Sequence, residues 1–121
     1  MADFPAFTKH ASNRIAVTSQ FTTDIDGYVF DGADGSQVVF WTCSEDRTSV
    51  EHAHEFDEYF VVVEGQATVI IGNERTVLTA GQEFVVRKGT KQQVAVKAGT
   101  RTIHVFGGKR ARRQHEDPSR G

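Results

Sequence analysis

The sequence predicts an all-β protein whose strands form an antiparallel jelly-roll barrel, an architecture also described as a double-stranded β-helix. Short segments rich in β-branched and aromatic residues recur along the chain. Glycines at positions 65, 72, 81, 89 and 99 separate these segments, so that a turn signal recurs every seven to ten residues. No segment has the apolar period of an α-helix over any extended length.

Eight segments are predicted to be strands on this basis, and they lie at residues 28–30, 38–42, 59–63, 67–71, 75–78, 84–86, 92–96 and 101–106. A further short strand is predicted over residues 14–18. The segment 38–42 is apolar on both faces, so we expect it to be buried between two layers. Gly65 and Gly72 are typical of tight turns in which the glycine has a positive φ angle.

The length of 121 residues corresponds to one domain. We expect an N-terminal arm over residues 1–12, which show no periodic pattern. Phe4 and Phe7 favour an arm that lies across a neighbouring subunit. The barrel domain is predicted over residues 13–107, and residues 108–121 are predicted to be a basic, flexible C-terminal tail.

The charge is unevenly distributed along the chain. Of its 14 basic and 16 acidic residues, the tail from residue 108 contributes five basic and two acidic ones. The remaining nine basic and fourteen acidic residues give the rest of the chain a net charge of about −5. This argues against a nucleic acid as the main partner, because nucleic-acid binding depends on cationic surfaces.

The sequence also argues against a membrane partner. The longest wholly apolar run is Tyr59 to Val63, which is far too short to span a bilayer. The first residues lack the basic start and the apolar core of a signal peptide. The single cysteine, Cys43, cannot form an internal disulfide, which suits a reducing compartment. We therefore expect a cytoplasmic location, with Cys43 as a small, partly buried hydrophobic residue.

One stretch carries candidate chemistry. Side chains alternate between the two faces of an extended chain, so His52, His54 and Glu58 share a face. Two neutral imidazoles and a carboxylate on one surface are typical ligands of a divalent first-row metal. Residues 45–58 contain six acidic residues and one arginine, which favours a bound cation. The alternative is a pair of surface or hydrogen-bonded histidines, and the spacing alone leaves both open.

The same stretch resembles the first conserved motif of the cupin superfamily. Four residues match its spacing without a gap, namely His52, His54, Glu58 and Gly65. The resemblance implies a small single-domain cupin barrel and a divalent transition metal as cofactor (Mn, Fe, Ni, Co or Zn). It also implies a small-molecule ligand or substrate and a homodimer, since barrels of this family commonly pair through sheet edges.

The second cupin motif is matched in part over residues 81–92. Both of its glycines are in register, at Gly81 and Gly89. Arg87 stands where the family usually has proline, and Gln92 stands where it usually has its third histidine ligand. The resemblance is therefore specific for the fold and less specific for an activity.

Gln92 and His104 complete the set of candidate site residues. Alternation places Gln92 on the inward face of its strand, where either its carbonyl oxygen is a weak metal ligand or its side chain hydrogen-bonds a water or the Glu58 carboxylate. His104 is a replacement ligand, a general base or a structural histidine. We expect His52, His54, Glu58 and Gln92 as metal ligands, and Glu58 and His104 as catalytic residues.

Two functions are consistent with these residues. The first is a metal-dependent enzyme of the dioxygenase, isomerase, lyase or cyclase type that acts on a small oxygenated organic substrate. The second is a non-catalytic binding or regulatory module for a sugar or another metabolite, which Gln92 at the third ligand position favours. Arg47, Arg87 and Arg101 are each candidates to anchor an anionic substrate.

Overall fold

The computed structural model describes residues 3–116. Within them the chain forms nine β-strands, which are β1 (Ile25–Asp31), β2 (Gln37–Cys43), β3 (Arg47–Thr48), β4 (Glu58–Glu64), β5 (Gln66–Ile71), β6 (Glu74–Thr79), β7 (Glu83–Val86), β8 (Gln93–Val96) and β9 (Thr100–Phe106). The helical segments are short 3-10 turns at Ala6–Lys9, Ala11–Asn13, Val17–Ser19 and Gln114–Glu116. In this part of the chain no helix is long and apolar enough to cross a bilayer.

The strands form two antiparallel sheets. One sheet has five strands in the order β1-β2-β9-β4-β7, and the other has four in the order β3-β8-β5-β6. Strands far apart in sequence lie side by side, as β2 and β9 do, and every described pair is antiparallel. This is the topology of a jelly roll, and it confirms the predicted all-β, antiparallel class.

Alternating side chains from both sheets fill the core. In β4 the buried side chains are those of Glu58, Phe60 and Val62, as the period of two predicts. One core cluster contains Ile15, Val29, Val39, Trp41, Phe106 and Ala111. The other contains Phe60, Val62, Ala67, Val69, Leu78 and Val86. Members of both clusters line the cavity that holds the candidate site.

The predicted strands agree with the structure except at the beginning of the chain. Each of the eight segments between the turn signals overlaps an observed strand. The strand predicted over residues 14–18 is wrong, because Arg14 and Ile15 form only isolated bridges, to Tyr28 and Arg113 respectively. Since the two bridges go to different partners, no ladder extends from them, and a 3-10 turn follows at once.

Strand β2 is buried on one face only, which differs from the expectation for residues 38–42. Its buried residues alternate along the strand and are Gln37, Val39, Trp41 and Cys43. The opposite face is partly covered, because Phe4 and Phe30 meet the ring of Phe40 edge-on at centroid distances of 5.2 and 5.8 Å. The second layer over this strand is therefore a pair of aromatic rings and not a sheet.

The N-terminal segment contacts its own barrel through Phe4. The side chain of Phe4 is buried, and the guanidinium of Arg101 lies over its ring at 4.7 Å. Phe7, by contrast, is 77% exposed. Of the two phenylalanines expected to favour an arm across a neighbouring subunit, only Phe7 is accessible to another molecule.

The segment after β9 is packed where we expected a flexible tail. Ala111 is fully buried, and the side chain of Gln37 holds its backbone on both sides. Gln37 Nε2 donates to Ala111 O at 3.0 Å, and Ala111 N donates to Gln37 Oε1 at 2.8 Å. Arg113 pairs with Asp31 at 2.7 Å. Ala111 is small enough to be buried although basic residues flank it. Residues 117–121 of the predicted tail lie outside the described residues.

Gly65 joins β4 to β5 in a conformation that favours glycine. Its φ angle is 88°, which confirms the predicted positive φ. A Cβ atom at this position would lie only 2.4 Å from Thr100 Oγ1. The close approach allows two hydrogen bonds between Thr100 and Gln66. Thr100 Oγ1 accepts from Gln66 N and donates to Gln66 O, both at 3.1 Å. These two bonds attach the turn between β4 and β5 to the start of β9.

Candidate functional site

A cavity between the two sheets holds the candidate site. Its volume is about 60 Å³, and β2, β4 and β9 of one sheet and β8 of the other contribute to its wall. All the residues predicted for the site line it, namely His52, His54, Glu58, Gln92 and His104. At roughly 10–15 Å³ for each water molecule, the cavity has room for about four or five. A ligand held there without rearrangement is therefore small.

Backbone pairing with the residues before β8 positions the two histidines. His52 and Gln92 exchange two backbone hydrogen bonds, at 2.9 and 2.8 Å. Gly89 N donates to His54 O at 3.0 Å. Because pairing keeps this stretch extended, both imidazoles lie on the cavity side, and their ring centroids are 4.8 Å apart.

Both imidazoles are neutral at pH 7. His52 Nδ1 donates to Val50 O at 2.8 Å, which leaves the lone pair on Nε2. Burial lowers the pKa of His52, and it lowers the pKa of His54 to about 4 although the nearby Glu58 carboxylate acts in the opposite direction. A neutral imidazole is the form that binds a metal or accepts a hydrogen bond.

Phe21 covers the histidine pair at the mouth of the cavity. Its ring stacks on His52 at a centroid distance of 4.2 Å and an interplanar angle of 4°, and it meets His54 edge-on at 5.6 Å. Phe21 is 36% exposed, so it lies between the cavity and the surrounding solvent. Any larger ligand would have to displace this ring.

Glu58 is ionised in the interior because hydrogen-bond donors surround it. Its carboxylate accepts from His104 Nδ1 at 2.6 Å and from Gln92 Nε2 at 2.9 Å. Burial raises the pKa of this carboxyl group, but the bonds from His104 and Gln92 outweigh that effect and lower the pKa to about 2. His54 Nε2 lies 3.6 Å from the same carboxylate.

His104 has partners at both ring nitrogens. In addition to Glu58 at Nδ1, Thr102 Oγ1 lies 2.9 Å from Nε2. The ring of Phe60 stacks against the imidazole at 4.8 Å. A general base needs a nitrogen that can reach the ligand, so this arrangement suits a residue that holds the Glu58 carboxylate in place.

Gln92 has one acceptor atom without a donor. The residue is 1% exposed, and its amide nitrogen is bonded to Glu58, but its Oε1 atom has no hydrogen-bond partner within residues 3–116. Leaving a buried acceptor unsatisfied costs about 1–3 kcal/mol. The cavity wall therefore combines this oxygen with the lone pairs of two neutral imidazoles, and a cation or a ligand hydroxyl group complements such a surface.

The chemistry of the donor atoms fits a divalent metal. The ionisable side chains of the described residues, however, are not positioned to bind one metal ion together. In the described part of the chain no three His, Cys, Asp or Glu side chains are grouped as a metal site. The reason lies at Glu58, whose oxygens are turned towards His104 and Gln92. Two imidazoles and an amide oxygen remain available, and the carboxylate would join them only by exchanging these bonds.

The three arginines considered as anchors for an anionic substrate lie elsewhere. Arg47 pairs with two carboxylates, at 3.0 and 2.6 Å. Arg101 Nε donates to Glu64 at 2.9 Å, and Arg87 is exposed to solvent. None of the three lines the cavity, so none can hold a ligand inside it.

Arg110 lines the cavity instead, although its position in the sequence placed it in the expected tail. Its Nη1 atom donates to Ser19 O at 2.5 Å. Its guanidinium lies 5.1 to 5.8 Å from the ring centroids of Phe21, Trp41 and Phe106. The alanine that interrupts the basic run is the only sequence signal that this segment is packed, and it gives no indication of the cavity.

Cys43 is buried more completely than expected and takes no part in the site. It is 1% exposed, and burial raises the pKa of its thiol to about 11. The thiolate is therefore scarce at pH 7, and the side chain packs as a small apolar residue.

The model of the family described as Cupin domain matches residues 24–108. Among solved structures, an RmlC-like cupin from Shewanella frigidimarina NCIMB 400 is 23% identical over 71% of this chain and 78% of that chain, with a TM-score of 0.65. KdgF from Halomonas sp. is 20% identical over 79% of this chain and 93% of that chain, with a TM-score of 0.63.

A cupin superfamily protein from Desulfitobacterium hafniense DCB-2 is 11% identical over 72% of this chain and 80% of that chain, with a TM-score of 0.62. At these identities the structural matches support the fold alone. No curated protein matches the chain. Because the family match spans well over half of the sequence and the two-sheet topology agrees with it, the protein belongs to the cupin family.

Proposed function

We propose that the cavity binds a small oxygenated organic molecule together with a divalent transition metal. The observation that supports this most directly is Gln92 Oε1, a buried acceptor without a donor. It shares the cavity with the neutral imidazoles of His52 and His54. The carbonyl oxygen and one ring nitrogen of each neutral imidazole offer lone pairs to a cation, and a divalent first-row metal such as Mn, Fe, Ni, Co or Zn accepts imidazole and oxygen ligands together.

The proposed ligands are a ring nitrogen from each of His52 and His54, the Gln92 carbonyl oxygen and the Glu58 carboxylate. Because Gln92 is neutral and a weaker ligand than imidazole, we expect lower affinity than a three-histidine site would have. When bound, such a metal supplies Lewis-acid chemistry, which polarises a ligand carbonyl group or acidifies water. In an octahedral site these four protein ligands would leave two positions open for a substrate.

The remaining chemistry would fall to Glu58 and His104. Glu58 is the candidate general base, because it is ionised and lines the cavity. His104 would orient the carboxylate through its Nδ1 hydrogen bond and stabilise its charge. This pair suits an enzyme of the dioxygenase, isomerase, lyase or cyclase type. A cavity of about 60 Å³ restricts the substrate to a few non-hydrogen atoms unless Phe21 moves aside.

Elemental analysis of protein purified without chelators tests the metal site. We expect about one metal ion per chain in the wild type, loss of the metal in His52→Ala and reduced occupancy in Gln92→Ala. His10→Ala is the matched control, because His10 is exposed on the N-terminal segment. Full occupancy in His52→Ala would contradict the proposal, as would a wild-type protein that takes up no metal on titration.

A second candidate function is the binding of a sugar or another metabolite without turnover. It is favoured by the hydrogen bonds of Glu58 and His104, which already engage the groups that acid–base catalysis would use. Thermal-shift measurements with a panel of small sugars and acids, in EDTA and in metal-loaded protein, distinguish the two functions. Equal shifts in both forms would support metal-free binding, whereas shifts confined to the loaded form would support the metal site.

A further inference from the structure

Arg110 differs from every other arginine in residues 3–116. The arginines that form salt bridges with carboxylates are Arg14, Arg47, Arg87, Arg101 and Arg113. The remaining two, Arg75 and Arg112, are exposed to solvent. Arg110 is partly buried and forms no salt bridge with any described residue. A charged side chain is thus held at a cavity without a partner of opposite charge.

Among the described residues, the Arg110 guanidinium forms a hydrogen bond only through Nη1. Nη1 donates to Ser19 O, while Nε is buried without an acceptor in the described part of the chain. Nη2 likewise makes no hydrogen bond to residues 3–116. A guanidinium binds a carboxylate in a bidentate manner through two adjacent N–H groups, and the Nε–Nη2 edge provides such a pair.

The surroundings of Arg110 stabilise its charge only in part. The rings of Phe21, Trp41 and Phe106 offer cation–π contacts but no hydrogen-bond acceptor. Burial lowers the pKa of Arg110 to about 10, although the Glu58 carboxylate acts in the opposite direction, so the group is still charged at pH 7. Buried charges are normally paired, and an anion at the cavity would complete this environment.

Arg110 and the histidine pair, His52 and His54, line the same cavity. The oxygens of Glu58, the acidic side chain at the cavity, already accept from His104 and Gln92. An incoming carboxylate group would therefore pair with Arg110, and the lone pairs of the histidines and Gln92 would remain available to a cation or to a hydroxyl group of the same ligand.

We propose that Arg110 binds the carboxylate group of the small molecule in the cavity, with Nε and Nη2 as donors, and that the natural ligand is a small organic acid. The inference rests on the proposed function in one respect, namely that the cavity holds a small molecule. The planar carboxylate matches the guanidinium edge, and a cavity of about 60 Å³ favours an acid of a few carbon atoms.

Titration with acetate and with acetamide tests this inference, because the two probes have the same shape and differ in charge. Binding is followed by ¹H–¹⁵N NMR of the full chain, in which the Arg110 Nε–H resonance is assigned by its absence from Arg110→Gln. We expect acetate to bind about tenfold more tightly than acetamide and to shift this resonance. Arg110→Gln should remove the preference, Arg110→Lys should keep part of it, and the exposed control Arg112→Gln should keep all of it.

Equal affinities for the two probes in the wild type, or an unchanged acetate affinity in Arg110→Gln, would overturn the inference. Failure of the wild type to bind either probe would also overturn it. Metal content is measured on the same samples, so that the proposed metal site and the role of Arg110 are judged separately. If Arg110→Gln does not fold, the wild-type comparison and Arg110→Lys still decide the outcome.

Discussion

At Glu58 the interior of the barrel carries a full negative charge, and the neighbouring side chains determine its state. A carboxylate so deeply buried would be protonated if it were isolated, because burial penalises the charged form. Two donors, His104 Nδ1 and Gln92 Nε2, reverse that tendency. The same bonds occupy both carboxylate oxygens, so these two residues control whether Glu58 can bind a cation.

Acid should destabilise the protein through two of these residues. The pKa of Glu58 is lowered from 4.5 to about 2, and that of His54 is lowered from 6.5 to about 4. In both cases the unfolded chain binds a proton that the folded chain does not, so the free energy of unfolding rises with pH between about 2 and 6.5. At 1.36 kcal/mol for each pKa unit, the effect is on the order of 3 kcal/mol from each group.

Urea unfolding at a series of pH values from about 7 to about 3 measures this effect. Wild-type stability should fall across the whole range, with the His54 contribution lost first. Glu58→Gln should lose the part of the pH dependence below about pH 4.5 and keep the part above it. A wild-type stability that does not change over this range would show that the buried charges do not behave as described.

At the scale of the elements, one glycine fixes the turn from β4 to β5, which takes the chain from one sheet to the other. Gly65 and Gly72 both have positive φ, at 88° and 59°, but only Gly65 approaches another part of the chain. A Cβ at Gly65 would meet Thr100, whereas a Cβ at Gly72 would meet no atom within 4 Å. A substitution at Gly72 therefore measures the cost of the backbone conformation alone. A substitution at Gly65 adds the cost of the steric contact with Thr100.

Gly65→Ala should therefore be more destabilising than Gly72→Ala. The backbone conformation alone costs an L-residue roughly 1–2 kcal/mol, which is the loss expected at Gly72. We expect a total loss of about 3 kcal/mol at Gly65, because Thr100 must also move and weaken its bonds to Gln66. Urea denaturation of both variants gives the comparison. Equal losses in the free energy of unfolding would mean that Thr100 moves aside without destabilising the protein.

At the scale of the whole molecule, the sheets leave unpaired edges. β7 ends the five-stranded sheet and β6 ends the four-stranded sheet among the described residues. Val85 on β7 is 47% exposed, and Val77 on β6 is 54% exposed. Exposed apolar residues on unpaired edge strands favour association with another chain.

We predict that the protein is a homodimer in solution and that these edges contribute to the interface. Size-exclusion chromatography with light scattering should give twice the mass of one chain at micromolar concentration. The double variant Val77→Lys, Val85→Lys should shift the mass towards that of a monomer, because charged edges resist pairing. A wild-type mass equal to one chain, or an equal loss of mass in Val17→Lys, which adds the same charge at an exposed valine outside both sheets, would contradict the prediction.

Much of the fold and part of the site follow from local rules. Strand positions follow from the spacing of turn residues, and the shared face of His52 and His54 follows from the period of two in an extended chain. The error at residues 14–18 has a different origin, because those residues bridge two segments that are distant in sequence. Arg110 was missed for the same reason, since its charge, taken alone, is typical of a solvated tail.

The sequence by itself determined the all-β class, the turns at Gly65 and Gly72, and the shared face of His52, His54 and Glu58. Each of these depends on a residue and its near neighbours along one strand. Only the tertiary structure decided that Gln92 and His104 bind the Glu58 carboxylate, that Phe21 covers His52, and that Arg110 borders the cavity. These contacts join residues far apart in the chain, so they depend on how the strands are ordered and registered within the two sheets.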